Sequence, residues 1–306
     1  MPMSQRNLNL AEARTEQRDR LASLIAQLTP VPGVNRTAWP GLVCYRSDRP
    51  TVLDKILYSP ALCIVAQGAK QARLGDRILR YDPMRYLAIG APLPAQSQIV
   101  EATKARPFLS LTMEVSSAAL SELLVELGEA PPDSVWNGSP PLGASRLDGR
   151  LLDALIRLVE ATTDPTEIRI LGPALQREVL YYALCGEQGH ILRLASLREG
   201  FSPGVSRTLH HIHMHLDERM TVAELAKIAG MSSSSLHEAF KAMTTLTPIQ
   251  YIKQLRLNQA RQVMLEEGAS AAEAAFKVGY ESPSQFSRDF RRHFGLPPRQ
   301  YLESRS

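Results

Sequence analysis

The chain has 306 residues, 44% of them hydrophobic and 22% charged, with a formal net charge of +4. That length suffices for two domains, and no apolar run approaches the ~20 residues of a membrane helix, so no membrane partner is expected. The three cysteines, Cys44, Cys63 and Cys185, are odd in number and far apart, which argues against a disulfide framework and for a reducing, cytoplasmic setting.

Residues 1–40 open on MPMSQRNLNLAEARTEQRDR, a polar stretch of mixed charge without secretory character, and read as an N-terminal extension. Beyond it, ALCIVAQG, QARLGDRILRY, RYLAIG and PFLSLTMEV are short β-branched or aromatic segments with turn residues between them. They predict strands over about 41–116, including a hairpin turn at Gly75-Asp76. Over about 117–196 the period becomes helical, and RLLDALIRLVEAT and ILGPALQREVLYYALCG predict amphipathic helices at 147–162 and 170–186. Their stripes, Leu151, Leu155 and Leu158 in the first and Leu171, Leu175, Val179 and Leu180 in the second, suit either a homodimer contact or cover for the chain's own strands. LREGFSPG, residues 197–204, reads as a linker.

The last hundred residues contain a duplication. LTPIQYI at 246–252 and LPPRQYL at 296–302 share the pattern Leu-x-Pro-x-Gln-Tyr-apolar, fifty positions apart. At the same offset Leu236 pairs with Phe286, Phe240 with Phe290 and Lys241 with Arg291, and the four-residue spacing of the apolar pairs puts them on one helix face. Further back the offset becomes 49, where Glu224 pairs with Glu273 and Gly230 with Gly279. TVAE and SAAE are capping boxes, each opening a short helix that ends near a glycine able to turn left-handed. A tight turn then leads to a second helix, starting at Ser232 in one copy and at Ser282-Pro283 in the other. Helix, glycine turn, helix, written twice, predicts two helix-turn-helix units. Between them, residues 249–267 contain no breaker, and Ile252, Leu255, Ala260, Val263 and Met264 form an apolar stripe. A helix of that length spans roughly 28 Å, enough to set two recognition helices about one DNA turn apart. Residues 203–306 carry 13 Lys+Arg against 10 Asp+Glu, whereas residues 1–202 carry 22 against 21, so the basic excess lies where a polyanion would be met.

Residues 205–303 resemble the DNA-binding domain of the AraC/XylS family of bacterial transcription regulators. The resemblance is carried by LAKIAGMSSSSLHEAFK, TPIQYI and KVGYESPSQFSRDFRRHFGLPPRQYL. It extends more loosely to residues 41–196, which are similar to the family's cupin-like effector domains. The implied fold class is α+β: an N-terminal cupin-like β-barrel with following helices, then an all-α domain of two helix-turn-helix units joined by a linker helix. The implied function is sequence-specific binding to double-stranded promoter DNA and activation of transcription through RNA polymerase, under control of a small-molecule effector. The alternative is a repressor or architectural DNA-binding protein whose N-terminal domain dimerises without sensing.

The resemblance places base contacts on the outward face of each second helix: Ser233, Ser234, His237 and Glu238 in the first unit, and Pro283, Ser284, Gln285, Ser287 and Arg288 in the second. Arg288 can grip guanine O6 and N7, and Gln285 adenine N6 and N7. Lys241, Arg256, Arg291 and Arg292 are candidates for phosphate, where a point charge is enough. Glu238 stands where many relatives carry arginine; it can accept from cytosine N4 or pair with Lys241, and either half-site could be the weaker reader, the first being the one expected. Leu225, Ile228, Leu236, Phe240, Val278, Phe286 and Phe290 are expected in the core. Ala271 and Ala274 replace larger aliphatics, so the second unit is expected to be less stable unless neighbours fill the space. All seven histidines lie at or beyond residue 190. The N-terminal domain therefore lacks the ligand set of metal-using cupins, and Cys63 lacks a histidine partner, so no catalytic residue, metal or cofactor is assigned. Cys63, Gln67, Tyr81, Tyr86 and Gln98, polar-tipped residues in or beside the strands, are the candidates to line an effector pocket.

Overall fold

The run ALCIVAQ is apolar at successive positions because both faces of its strand are covered. The computed structural model describes residues 5–74, 77–83, 85–129, 141–196, 203–244 and 246–303. It begins with helix α1 (Gln5–Leu28) and continues into ten strands: β1 (Gly33–Arg36), β2 (Leu42–Ser47), β3 (Asp54–Tyr58), β4 (Ala61–Gln67), β5 (Ala69–Leu74), β6 (Arg77–Tyr81), β7 (Arg85–Ile89), β8 (Leu93–Glu101), β9 (Phe108–Glu114) and β10 (Leu142–Arg146). Two antiparallel sheets result, one ordered β1-β2-β9-β4-β7-β10 and the other β3-β8-β5-β6. Side chains alternate along a strand, so β4 sends Ala61, Cys63 and Val65 between the sheets and Leu62, Ile64 and Ala66 to the outer face of the larger one. The turn expected at Gly75-Asp76 lies outside the described residues, and the strands flanking it pair with Leu74 opposite Arg77.

Helices cover that outer face. They are α1, α2 (Ser117–Glu126), α3 (Gly149–Ala161), α4 (Pro165–Cys185) and α5 (Gly189–Ser196). The presumed extension thus contains a 24-residue helix whose Leu21 and Ile25 are fully buried in the helix–sheet core. Its polar first half had masked the pattern. Helix α4 starts earlier than its periodicity implied, because Asp164 accepts hydrogen bonds from the Thr166 and Glu167 amides at 2.7 and 3.1 Å and Pro165 opens the first turn. The stripes of α3 and α4 serve their own chain. Leu151, Leu155, Leu158, Val179 and Leu180 are buried there, Leu175 packs at the margin, and Leu171 stays 45% exposed. Gly172 makes this packing possible, since a Cβ there would lie 2.5 Å from the Trp39 ring.

Most of the expected linker lies outside the described residues, and the chain resumes with α6 (Pro203–Met214). Then come α7 (Val222–Ala229) and α8 (Ser233–Thr244), the long α9 (Pro248–Glu266), α10 (Ala271–Lys277) and α11 (Pro283–Phe294), and finally α12 (Pro298–Glu303). Both capping boxes form, Thr221 with Glu224 and Ser270 with Glu273. The duplicated heptapeptides open α9 and α12. Each proline sits in a first turn, and each tyrosine is buried against the second helix of its unit, Tyr251 on Phe240 and Tyr301 on Phe290, with ring centroids 5.5 Å apart in both. Leu225, Leu236, Phe240, Val278, Phe286 and Phe290 are core residues, whereas Ile228 is only partly buried. Ala274, with Ala271 at the margin, belongs to the same core as the aromatic cluster of Tyr280, Phe286, Phe290, Phe294 and Tyr301.

Gly230 and Gly279 both adopt positive φ, +66° and +82°, but their surroundings differ. A Cβ on Gly279 would lie 2.2 Å from the Asp217 carbonyl oxygen, whereas one on Gly230 would meet only an arginine tip at 3.7 Å. Gly279→Ala is therefore expected to lower stability by at least about 2 kcal/mol and Gly230→Ala by about 1 kcal/mol, measured by urea unfolding of the whole chain.

Candidate functional site

Two equivalent helix faces form the first candidate site. The serine caps set the starts of α8 and α11: Ser232 Oγ accepts from the Ser235 amide at 3.1 Å and Ser282 Oγ from the Gln285 amide at 3.3 Å. With Leu236 and Phe240, or Phe286 and Phe290, turned into the cores, the opposite faces are left to solvent. Ser233, Ser234 and Glu238 are exposed in the first unit and His237 is partly so; in the second, Ser284, Gln285 and Arg288 are exposed while Pro283 and Ser287 are partly buried. The Arg288 guanidinium makes no hydrogen bond or ion pair among the described residues, and neither do the exposed Lys241 and Arg291 side chains. Arg292 differs, pairing with the buried Asp289 of its own helix.

Arg256 has a different place from the one expected of a phosphate contact. Its guanidinium is turned inward and donates to the carbonyls of Leu216 at 2.8 Å, Glu218 at 2.5 Å and Gly279 at 3.1 Å. It thereby ties the segment before the first unit to the turn of the second, from the middle of α9. Around it the helix serves both cores: Tyr251, Ile252 and Leu255 belong to the first, and Leu257, Ala260, Val263 and Met264 to the second. Lys253 reaches from α9 to Asp289 on α11 at 2.6 Å. The apolar stripe was visible in the sequence. Arg256's role was not, because an arginine on the polar side of such a helix looks like any solvated charge.

The same helix docks on the N-terminal domain. Tyr251 donates its hydroxyl hydrogen to the Pro92 carbonyl at 3.1 Å and lies 3.2 Å from His213 Nε2. Tyr301 donates to Asp54 Oδ2 at 3.5 Å, and Arg261 donates to Asp54 Oδ2 and the Lys55 carbonyl at 3.3 and 3.1 Å. His293 lies at this contact, where burial, aided by Lys55, Arg261 and Lys253, pulls its pKa down to about 3 and keeps it neutral. Two buried tyrosines at matching repeat positions were a legible sign that their hydroxyls needed partners, but nothing in the sequence said those partners were on β3 and the β7–β8 turn.

A second candidate site lies between the two sheets. It is a cavity of about 230 Å³ lined by β3, β4, β5, β6 and β9. Of the expected pocket residues, Cys63 and Tyr81 line it. Gln67 instead donates to the Pro107 carbonyl at 2.7 Å, and Gln98 bonds Gln71 and the Thr51 carbonyl at 2.9 and 3.0 Å. Tyr86 faces the helix–sheet core. Lys70 and Tyr58, which sequence reasoning passed over, are in the lining; the signal available was a lysine in register with alternate inward-facing residues of β5. The Tyr58 and Tyr81 hydroxyls lie 3.4 Å apart, and Thr112 Oγ1 donates to Cys63 Sγ at 3.6 Å. Burial raises the pKa of Tyr58, Tyr81 and Cys63 and lowers that of Lys70. Among the described residues no group of His, Cys, Asp and Glu is placed to hold a metal ion, and no helix is long and apolar enough to cross a membrane.

Tandem helix-turn-helix units beside a two-sheet domain define a class of DNA-binding regulator. The family model described as AraC-type transcriptional regulator N-terminus matches residues 38–191, and a helix-turn-helix domain model matches residues 225–304. The chain belongs to the AraC-type transcriptional regulators, a family of transcription regulators rather than enzymes. It is 28% identical over 191 residues to the HTH-type transcriptional activator RhaS of Escherichia coli (strain SMS-3-5 / SECEC), covering 61% of this chain and 64% of RhaS. It is 35% identical over 92 residues to the probable transcriptional regulator LumQ of Photobacterium leiognathi, covering 30% of this chain and 37% of LumQ. The matches thus span less than two thirds of either relative. Among solved structures, an apo variant of ToxT from Vibrio cholerae strain SCE256 shares the fold with a TM-score of 0.64 at 10% identity, over 88% of this chain and 99% of that one.

The inward bonds of Arg256 generate a prediction. Arg256→Met should lower stability by at least about 2 kcal/mol, since three charge-assisted bonds to carbonyls are lost. It should weaken binding to DNA carrying two half-sites more than to a single half-site, with the salt dependence unchanged. A phosphate contact would instead weaken both equally and lower the salt slope by about 0.9. Titrating both DNA fragments at several salt concentrations decides the matter.

Proposed function

We propose that the chain is a cytoplasmic, sequence-specific transcription activator that reads two half-sites in promoter DNA and responds to a small molecule held in its N-terminal domain. The observation that carries this reading is the pair of exposed second-helix faces mounted on one shared helix. In this reading α8 and α11 enter successive major grooves on one side of the duplex. Arg288 and Gln285 supply the directional base contacts, and the serine-rich α8 face reads more weakly. Lys241 and Arg291, exposed and unpartnered among the described residues, hold phosphate. Contact with RNA polymerase is part of the same reading, supported by the similarity to the activator RhaS. Effector sensing is supported by the cavity between the sheets and by the solved form of ToxT described as bound to an unsaturated fatty acid. A homodimer contact on these helices would use Ile170, Leu171 and Tyr181 on α4, which are 67%, 45% and 39% exposed.

Genome-wide binding of the purified protein to sheared host DNA, at two salt concentrations, tests the reading. The wild type is expected to enrich a few promoters carrying two half-sites about one helical turn apart. Arg288→Ala should lose preference at one half-site, weakening specific binding by roughly 5- to 150-fold. Diffuse, salt-sensitive enrichment that ignores Arg288→Ala would contradict it.

A further inference from the structure

The wall of the inter-sheet cavity carries one residue that breaks the pattern of its strand. Along β5, Ala72 and Leu74 face inward into the core between the sheets, and alternation turns Lys70 to the same side. Lys70 is partly buried; apolar residues would fill that position at no electrostatic penalty, whereas an ammonium group partly withdrawn from water is unfavourable without a counter-charge. Among the described residues Lys70 forms no salt bridge and no side-chain hydrogen bond. What surrounds it in the cavity is neutral and hydrogen-bonding: Tyr58 and Tyr81, whose hydroxyls lie 3.4 Å apart, and Thr112 beside Cys63. The one carboxylate in the lining, Glu114, ends β9 with its side chain exposed.

We propose that this cavity binds a small organic carboxylate, its anionic group paired with the Lys70 ammonium and hydrogen-bonded by the tyrosine hydroxyls, with Ile56 and Ala61 against its carbon skeleton. This rests on the effector-sensing reading above and names the chemical class of the effector. The volume of about 230 Å³ suits a small ligand, on the order of ten heavy atoms. A benzoate-sized acid is of that size. Selectivity for the anion follows from the lysine: a neutral amide or alcohol of the same shape leaves the ammonium unpaired. Burial holds the Lys70 pKa below its usual value, so in the empty protein the charge is a liability that a bound anion removes.

Thermal unfolding of the full chain at neutral pH tests this with a panel of aliphatic and aromatic carboxylates of up to about ten heavy atoms, each beside its neutral amide. At least one carboxylate should raise the melting temperature in a concentration-dependent way while its amide does not. Lys70→Met should melt no lower than wild type without ligand, because a desolvated charge is removed, yet should weaken that carboxylate's apparent affinity by at least roughly tenfold. Tyr81→Phe, which keeps the ring, should weaken it by a smaller factor. Stabilisation by amides or other neutral metabolites, but by no carboxylate, would overturn the anion assignment and leave effector sensing standing. Equal stabilisation of wild type and Lys70→Met by a carboxylate would move its site elsewhere and also overturn the proposal. No response to any compound in the panel would overturn it as well, and silence across a broad neutral metabolite library in addition would count against sensing itself.

Discussion

Helix α9 is the member on which the rest of the molecule depends. A tandem reader needs its two recognition helices at a fixed separation and rotation, and two independent small domains on a flexible tether would not supply either. Here one 19-residue helix enters both hydrophobic cores, Leu255 closing the first and Leu257 opening the second. The two units are thus built on one rod. Arg256, at the crossover between cores, adds polar fixation by drawing carbonyls from both sides onto one guanidinium. Because its donors are directed at backbone rather than at mobile side chains, the junction is specified by geometry that few other residues can reproduce.

The same rod connects the helix-turn-helix units to the N-terminal domain. Asp54 and Lys55, which meet Arg261 and Tyr301, are on β3, and Ile56 and Tyr58, which line the inter-sheet cavity, are on the same strand. Strand β3 is at the edge of its sheet, paired only with β8. An edge strand is held on one side alone, so its position is sensitive both to what fills the cavity and to what docks outside. The cavity and the second helix-turn-helix unit therefore share a structural neighbour without any long chain of intermediates.

Much of this was legible in the sequence, for identifiable reasons. The duplicated heptapeptides, the capping boxes and the paired glycines are local signals, each satisfied by residues a few positions away, and the helices they predict are present with Gly230 and Gly279 in left-handed conformations. The sheet region was legible as short strands. What local reasoning missed was set by distant partners. Helix α1 is polar over most of its length and earns its place through Leu21 and Ile25 in a core made by other elements. Gln67 and Gln98 have polar tips like any pocket residue, but their hydrogen bonds go to loop carbonyls and a neighbouring strand. Lys70 carries no local mark of its place, which is set by the register of β5 with its neighbours.

On the proposed function, α9 fixes the separation of the two readers. The most direct test is the affinity of the protein for a selected operator as the spacer between half-sites is lengthened. Inserting about five base pairs, half a helical turn, puts the second half-site on the opposite side of the duplex. Affinity should then fall to that of a single half-site and recover little when a full turn is inserted, because a rigid helix cannot lengthen. Undiminished affinity across all spacers would contradict a rigid α9 and show that the two units search for their half-sites independently.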